Sequence, residues 1–415
     1  MINLIFYLVL IFLGIGIGIV AGLIPGLHVN TTIPLILSLS FFFQSPYQIV
    51  VLIISVAITE IFIDYIPSIF LGAPEADTSL SVLPGHRLLL EGRGREAIKL
   101  TIIGGLGCLI LSLILITLLA PYFQFFYTTT RPYIQYLLIL VILFMIISEK
   151  KPKKIAFAFF IIVITGLMGL IVLNSPVANQ QNILFPTLTG LFGMSTIIIS
   201  ISEKSKIPKQ HEDSRLLISP KEIIKAMFLG SVAGIIVGFL PAIGISEAGT
   251  MVQYLGGMGD SRGFLVTISG INAANDAFSI ISLYLLGNPR SGTSIAIGQI
   301  LGDLTLFDIT FLIGIILFTA GIASLISLYL SKIIPKHLER INYKTLSFLI
   351  ISLLIFMVFL FSGIFGLLVL FTSTSIGILC AHMEIRRSHC MGLLLVPTLF
   401  FFLGITPLFL SLVGI

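Results

Sequence analysis

Along the chain, long apolar runs alternate with short polar loops, and many of the runs reach the 18 or so residues that a helix needs to cross a hydrocarbon core of about 30 Å. They fall at 2–24, 31–43, 47–71, 98–120, 131–148, 155–173 and 182–201, then at 222–240, 243–256, 263–286, 305–330, 345–361, 364–381 and 390–413. This pattern predicts an all-α, polytopic transmembrane protein with seven segments in each half. The first run lacks a basic leader and is too long for a signal-peptide core, so it reads as a retained helix. The second segment of each half is short. Residues 31–43 would rise only about 20 Å at 1.5 Å per residue, so whether 31–43 and 243–256 cross fully or turn back as hairpins stays open.

The two halves are related in sequence. Phe12-Leu13-Gly14 recurs as Phe228-Leu229-Gly230, and Gly18, Gly22 and Pro25 recur as Gly234, Gly238 and Pro241, all at an offset of 216. Leu71-Gly72 and Pro74 recur as Leu286-Gly287 and Pro289, and Thr78-Ser79 as Thr293-Ser294, at an offset of 215. Unrelated Gly- and Pro-rich sequence would not hold one register over such a length. The expected organisation is a membrane repeat over 1–205, a cytoplasmic linker over 206–221 and a second membrane repeat over 222–415.

Charge refines the topology, because cytoplasmic loops collect Lys and Arg. If all fourteen segments cross, the loops 72–99, 149–154, 202–225, 257–262, 331–344 and 382–389 lie on one side and hold 21 of the 23 basic residues. Only Arg131 and Arg290 then fall on the other side, together with both termini. If the short second segments merely dip in and return, the halves become parallel and the split weakens to 15 and 8. The count favours two inverted-topology repeats in the cell membrane with both termini outside.

Composition agrees with a bilayer as solvent: 57 % of residues are hydrophobic and 10 % charged, more apolar side chain than a water-soluble fold could hide. The net charge of +5 is explained by the loop bias, which removes a nucleic-acid reading. Cys108, Cys380 and Cys390 lack metal-site spacing and read as packing residues. No nucleotide-binding loop is present, so any transport would be secondary unless a partner supplies energy. Gly257-Met258-Gly259-Asp260 spells a motif of intramembrane aspartyl proteases, but in a Gly-rich loop outside any apolar segment. His382, Glu384 and His389 stand among Arg386 and Arg387 at no metal-binding spacing and read as a solvated loop.

Candidate chemistry sits at the breaks. Helix breaks whose N-H groups face an anion are a known substrate site in inverted-repeat transporters. Pro25, Gly26, His28, Asn30, Thr31 and Thr32 form one such break, with Asn30 or Thr31 as N-cap; Pro241, Gly244 and Ser246 form its counterpart. Each is followed by a short segment, which favours function over a tight surface loop. A second pair of breaks offers Thr78 and Ser79 in one half and Arg290, Gly292, Thr293 and Ser294 in the other, where helix capping is the alternative. Within apolar segments Glu60 and Asp64 are four apart and share a helical face, and Asn272, Asn275 and Asp276 answer them. Intramembrane carboxylates are costly, so Glu60, Asp64, Asp276 and Glu247 are candidates for coupling to Na+ or H+, with interhelical hydrogen bonding as the structural alternative. No catalytic residue, resident cofactor or metal site is expected.

These residues resemble the large membrane subunit of tripartite tricarboxylate transporters, the TctA-like permeases. The resemblance rests on the breaks at Gly22–Asn30 and Gly238–Gly244, on Asn272-Ala273-Ala274-Asn275-Asp276 running into Gly287–Ser294, and on Pro74-Glu75-Ala76 with Gly85 and Arg93-Gly94-Arg95-Glu96-Ala97. It implies ion-coupled uptake of small carboxylates by a non-enzymatic permease, with a small membrane subunit and an extracytoplasmic solute-binding protein as partners. His28, Asn30, Ala242, Glu247 and Arg290 depart from the family pattern, which points to a changed substrate. Two alternatives stay open: a translocase for a lipid-linked phosphate, suggested by Arg290 and His28, and an intramembrane protease using Asp260.

Overall fold

The computed structural model describes residues 2–24, 29–38, 43–72, 78, 80, 82–175, 183–202, 208–211, 215–239, 244–255, 260–287, 291–338 and 343–413. Every regular element among them is helical. The first half contains α1 (Ile2–Leu23), α2 (Val29–Ser38), α3 (Pro46–Ile63), α4 (Tyr65–Phe70), α5 (Val82–Leu90), α6 (Gly94–Leu119), α7 (Phe123–Thr130), α8 (Ile134–Ile147), α9 (Pro152–Asn174), α10 (Leu184–Leu188) and α11 (Ser195–Ser202). The second contains α12 (Pro220–Phe239), α13 (Ile245–Leu255), α14 (Ser261–Leu286), α15 (Gly292–Leu301), α16 (Leu306–Leu338), α17 (Tyr343–His382), α18 (Gly392–Leu403) and α19 (Thr406–Val413).

Among the described residues, seven helical stretches are long and apolar enough to cross a membrane, and α18 and α19 form an eighth candidate bent by 110°. Several expected segments are therefore shorter or more broken than their apolar runs. The helices α2 and α13 have 10 and 11 residues, so each rises about 15 Å, half of the core. A π-helical stretch, Thr189–Met194, separates α10 from α11. The 40 residues of α17 would reach about 60 Å as one rod, but Gly363 adopts φ 62° and ψ −156° and breaks it. Only glycine enters that backbone region without strain. The break falls where the sequence separates the segments 345–361 and 364–381.

Burial decides where the centre lies. Residues Ile49–Phe70 are all buried and the most apolar 18-residue window of Ser261–Leu286 is 89 % buried, whereas the corresponding windows of the other five spans are between 28 % and 44 % buried and those spans turn large apolar side chains outward. The two shielded stretches, α3–α4 and α14, occupy equivalent places in the two halves, α14 starting 215 residues after α3.

The repeat governs contacts as well as sequence. A Cβ on Gly18 would lie 2.7 Å from the Thr59 Cβ, and one on Gly22 would lie 2.9 Å from the Ile63 Cβ. In the second half, Gly234 faces Ala274 at 2.6 Å and Gly238 faces Phe278 at 2.6 Å. Each of these pairs maps onto its counterpart at the offsets read from the sequence. The glycines thus let α1 cross α3, and α12 cross α14, at close backbone distance, the small-residue packing that lets membrane helices associate.

The basic loops meet on one face. The Glu96 carboxylate accepts from Arg262 Nε at 2.9 Å, from the Leu217 N–H at 2.7 Å and from Arg93 Nη1 at 2.6 Å, joining the loops 72–99, 202–225 and 257–262. Glu149 accepts from the Arg386 N–H at 3.1 Å and pairs with His389 Nε2 at 2.8 Å, and Lys154 Nζ donates to the Glu384 carbonyl at 2.6 Å, joining 149–154 to 382–389. A cavity on this side is lined by Arg87 and Asp260 from the first set of loops and by Arg386 from the second.

Candidate functional site

The centre is built where α3–α4 touches α14. Pro67 has no N–H for the carbonyl four residues earlier, so the buried rod is interrupted at Asp64, between α3 and α4. The Asp64 N–H still donates to the Glu60 carbonyl at 2.9 Å, which keeps both carboxylates on one helical face. Both are almost fully buried, at 4 % and 6 % exposure. No proline interrupts α14, which runs unbroken and carries Asn272, Asn275 and Asp276.

Glu60 reaches the first break. Its two carboxylate oxygens each lie 3.0 Å from the N–H of Val29, the first residue of α2. A carboxylate at this end is favoured by the orphan N–H groups and by the helix dipole. The helix end that the sequence assigns to a substrate carboxylate is thus met here by a carboxylate of the protein. Thr32 on the same helix is buried and donates to the Val29 carbonyl at 3.0 Å.

The halves touch through polar groups at this level. Asn272 Nδ2 donates to the Tyr65 hydroxyl at 3.5 Å. The Asn272 Oδ1 and the Thr293 Oγ1 are buried and have no hydrogen-bond partner among the described residues. Buried amide and hydroxyl oxygens of that kind are costly unless something completes them. Asn275 donates to the Asp276 carboxylate at 3.3 Å, and both are half-buried.

The second breaks reach across the halves. Helix α15, which starts at Gly292, packs on α2 and α3, with Ala296 joining a cluster of Val29, Ile33, Leu52 and Val56. In return Leu80 packs on α13, where a Cβ on Gly249 would lie 3.2 Å from the Leu80 Cδ1. Ser294 is committed to capping α15: its N–H donates to Ser291 Oγ at 3.2 Å and its hydroxyl accepts from the Ser291 N–H at 2.9 Å. The Ser279 hydroxyl also donates to it, at 3.1 Å. Thr78 and Ser246 are buried, their carbonyls accepting from Ser68 and Thr250, and Gly244 is half-buried at the start of α13. Pro25, Gly26, His28, Ser79, Pro241 and Arg290 lie outside the described residues, as do the side chains of Asn30, Thr31 and Glu247.

Two features escape the sequence reading. Tyr65, which accepts from Asn272 across the halves, has no counterpart in the repeat, where residue 280 is Ile. His389 is wholly buried and bonded to Glu149 instead of lying in a solvated loop, while His382 and Glu384 are exposed as expected. Asp260 is exposed and caps α14 by accepting from the Arg262 N–H at 3.2 Å, so it is no buried catalytic aspartate. Cys108 fills the crossing of α6 with α12, its thiol donating to the Met227 carbonyl at 3.1 Å.

Residues 8–392 match the tripartite tricarboxylate transporter TctA family. The chain belongs to that family. It is also similar to an uncharacterized protein of Methanocaldococcus jannaschii, 31 % identical over 408 residues that span 95 % of this chain and 99 % of the relative. No solved structure matches it. This TctA-family chain is thus a multi-pass membrane protein of the tricarboxylate-transporter type, and the carboxylates and amides just described occupy the most shielded part of it.

Proposed function

We propose that this permease moves a small organic anion, a di- or tricarboxylate, by cation-coupled alternating access. The observation that carries the reading is the pairing at the centre: the two most buried stretches occupy equivalent places in the two halves, and one brings two carboxylates while the other brings two amides and a third carboxylate. Such groups are expensive inside a membrane and line solute and ion paths there. Glu60 supplies the coupling. While ionised it holds the N-terminus of α2. A proton or Na+ on Glu60 and Asp64 neutralises that carboxylate, and the α2 N–H groups then receive a carboxylate of the substrate in its place. Asn272 and Thr293 offer the polar groups that complete its binding.

The two halves are read as inverted repeats, 1–205 and 222–415, in the cell membrane with both termini outside. Support comes from the basic loops: parallel halves would put 257–262 and 382–389 on the face opposite 72–99 and 149–154, yet Arg262 bonds Glu96 and Arg386 bonds Glu149. Family membership supports a small membrane subunit and an extracytoplasmic solute-binding protein as partners.

Proteoliposomes containing the chain with those partners provide the test. A panel of di- and tricarboxylates is offered under a Na+ or a proton gradient, and accumulation of at least one is expected. If neither gradient drives uptake of any of them, the reading fails.

A further inference from the structure

A cavity of about 270 Å³ opens on the face of the basic loops and draws its walls from both halves. Arg87 comes from α5, Gln253 from α13, Asp260 and Ser261 from the start of α14, and Arg386 and Arg387 from the turn before α18. Its charges do not balance. Arg87 is an exposed side chain paired with Glu91 at 3.2 Å. Asp260 is engaged at the N-terminus of α14. Arg386 lies over the Tyr254 ring at 5.0 Å, and Glu149, which meets its backbone N–H, is also bonded to His389. Arg387 Nη1 donates to Ser195 Oγ at 2.9 Å, to Thr196 Oγ1 at 2.7 Å and to the Phe192 carbonyl at 3.4 Å. Neither Arg386 nor Arg387 has a carboxylate within ion-pair distance among the described residues.

A half-buried guanidinium held by neutral acceptors keeps its full charge in a place of reduced dielectric, which makes it a strong anion receptor. The holder is itself unusual, since the carbonyl of Phe192 belongs to the π-helical stretch, a feature that recurs at functional sites. Arginine presents a planar fork that matches carboxylate geometry.

We propose that Arg386 and Arg387 form an anion subsite for the carboxylates of the cargo, on the basic-loop side of the permease and separate from the central site. The proposal rests on the anion-permease reading. It makes the cavity the last station before release to the cytoplasm. Because its walls belong to both halves, relative movement of the halves would reshape it during each cycle.

The test uses the purified full chain with citrate as probe. Isothermal titration of the wild type, Arg386→Gln and Arg387→Gln should show citrate binding weakened about tenfold or more in each variant, the loss expected for one charge-assisted contact. Arg386→Gln touches an exposed side chain and guards against a folding failure of Arg387→Gln. In proteoliposomes of known orientation, the same variants should raise the KM of citrate counterflow from the basic-loop side and leave the KM from the opposite side unchanged. If wild-type transport is intact and both variants match it in binding and in both KM values, the subsite is wrong and the permease reading stands. If the wild type transports nothing, the permease reading fails, and the titration still decides the subsite. If citrate does not bind but vesicles containing phosphatidylglycerol retain the wild type more strongly than the variants, the cavity takes a lipid headgroup and the proposal is overturned.

Discussion

Replacing Gly18 with alanine tests whether the repeat sets the packing of the membrane core. The new Cβ would sit 2.7 Å from the Thr59 Cβ and 2.7 Å from the Val56 carbonyl oxygen, against the ~3.5–4.0 Å that carbon contacts prefer. The second contact is backbone, so the two helices must part by close to 1 Å, an estimate from the same contact distances. Overpacking of this kind costs about 1–3 kcal/mol. Gly234→Ala meets the same obstacle, 2.6 Å from the Ala274 Cβ and 2.8 Å from the Ile271 oxygen. Gly16 is the control, because a Cβ there meets nothing within 4 Å and alanine favours a helix by about 0.5–1 kcal/mol over glycine. Cys108, Cys380 and Cys390 are all buried free thiols, so a thiol-reactive dye reports unfolding in detergent. Gly18→Ala and Gly234→Ala should each lower the midpoint by about 1–4 °C, and Gly16→Ala should not lower it. A wild-type midpoint in either of the first two, or a fall in only one of them, would refute the equivalence of the two crossings.

Two further outcomes follow from the same structure. Gly363→Ala should destabilise by about 1–3 kcal/mol through backbone strain alone, since φ is 62° and nothing lies within 4 Å of the added Cβ. Gly321→Ala, also with nothing within 4 Å, should melt like the wild type in the same dye assay, and equal midpoints for the two variants would contradict the break. Burial alone would raise the Glu149 carboxyl, but hydrogen bonds from the Arg386 N–H and His389, with their charges, hold it below its ordinary value. Its stabilisation is therefore complete above the unfolded carboxylate value of about 4.3 and is lost as pH falls through the lowered folded value. Melts across this range should fall more steeply for the wild type than for Glu149→Gln, and parallel curves would count against the contact.

The parts of this fold that are local were legible in the sequence. Helices α1, α3 and α14 begin or end within a few residues of their apolar runs, and the break at Gly363 falls between two of those runs. The repeat was legible because glycines that face another backbone keep their register, and Gly18 and Gly234 do face equivalent partners. Long-range capping was not. Glu60 meets Val29 across 31 residues, and no spacing rule links a carboxylate in one membrane segment to the N-terminus of another. The fate of His389 was hidden for the opposite reason: its basic neighbours suggest water, and only the fold brings Glu149 to it. The π-helical stretch has no periodic signature, so Arg387, which it holds, read as an ordinary loop cation.

The central claim, that Glu60 couples a cation to an anionic substrate at the end of α2, is tested most directly by gradient dependence. Radiolabelled carboxylate uptake is measured in proteoliposomes for the wild type and for Glu60→Gln, each with and without the driving gradient of Na+ or protons. The wild type should accumulate substrate only with the gradient, whereas Glu60→Gln should retain exchange across the membrane and lose the gradient's effect on accumulation. Gradient-driven accumulation in Glu60→Gln equal to the wild type would contradict the account.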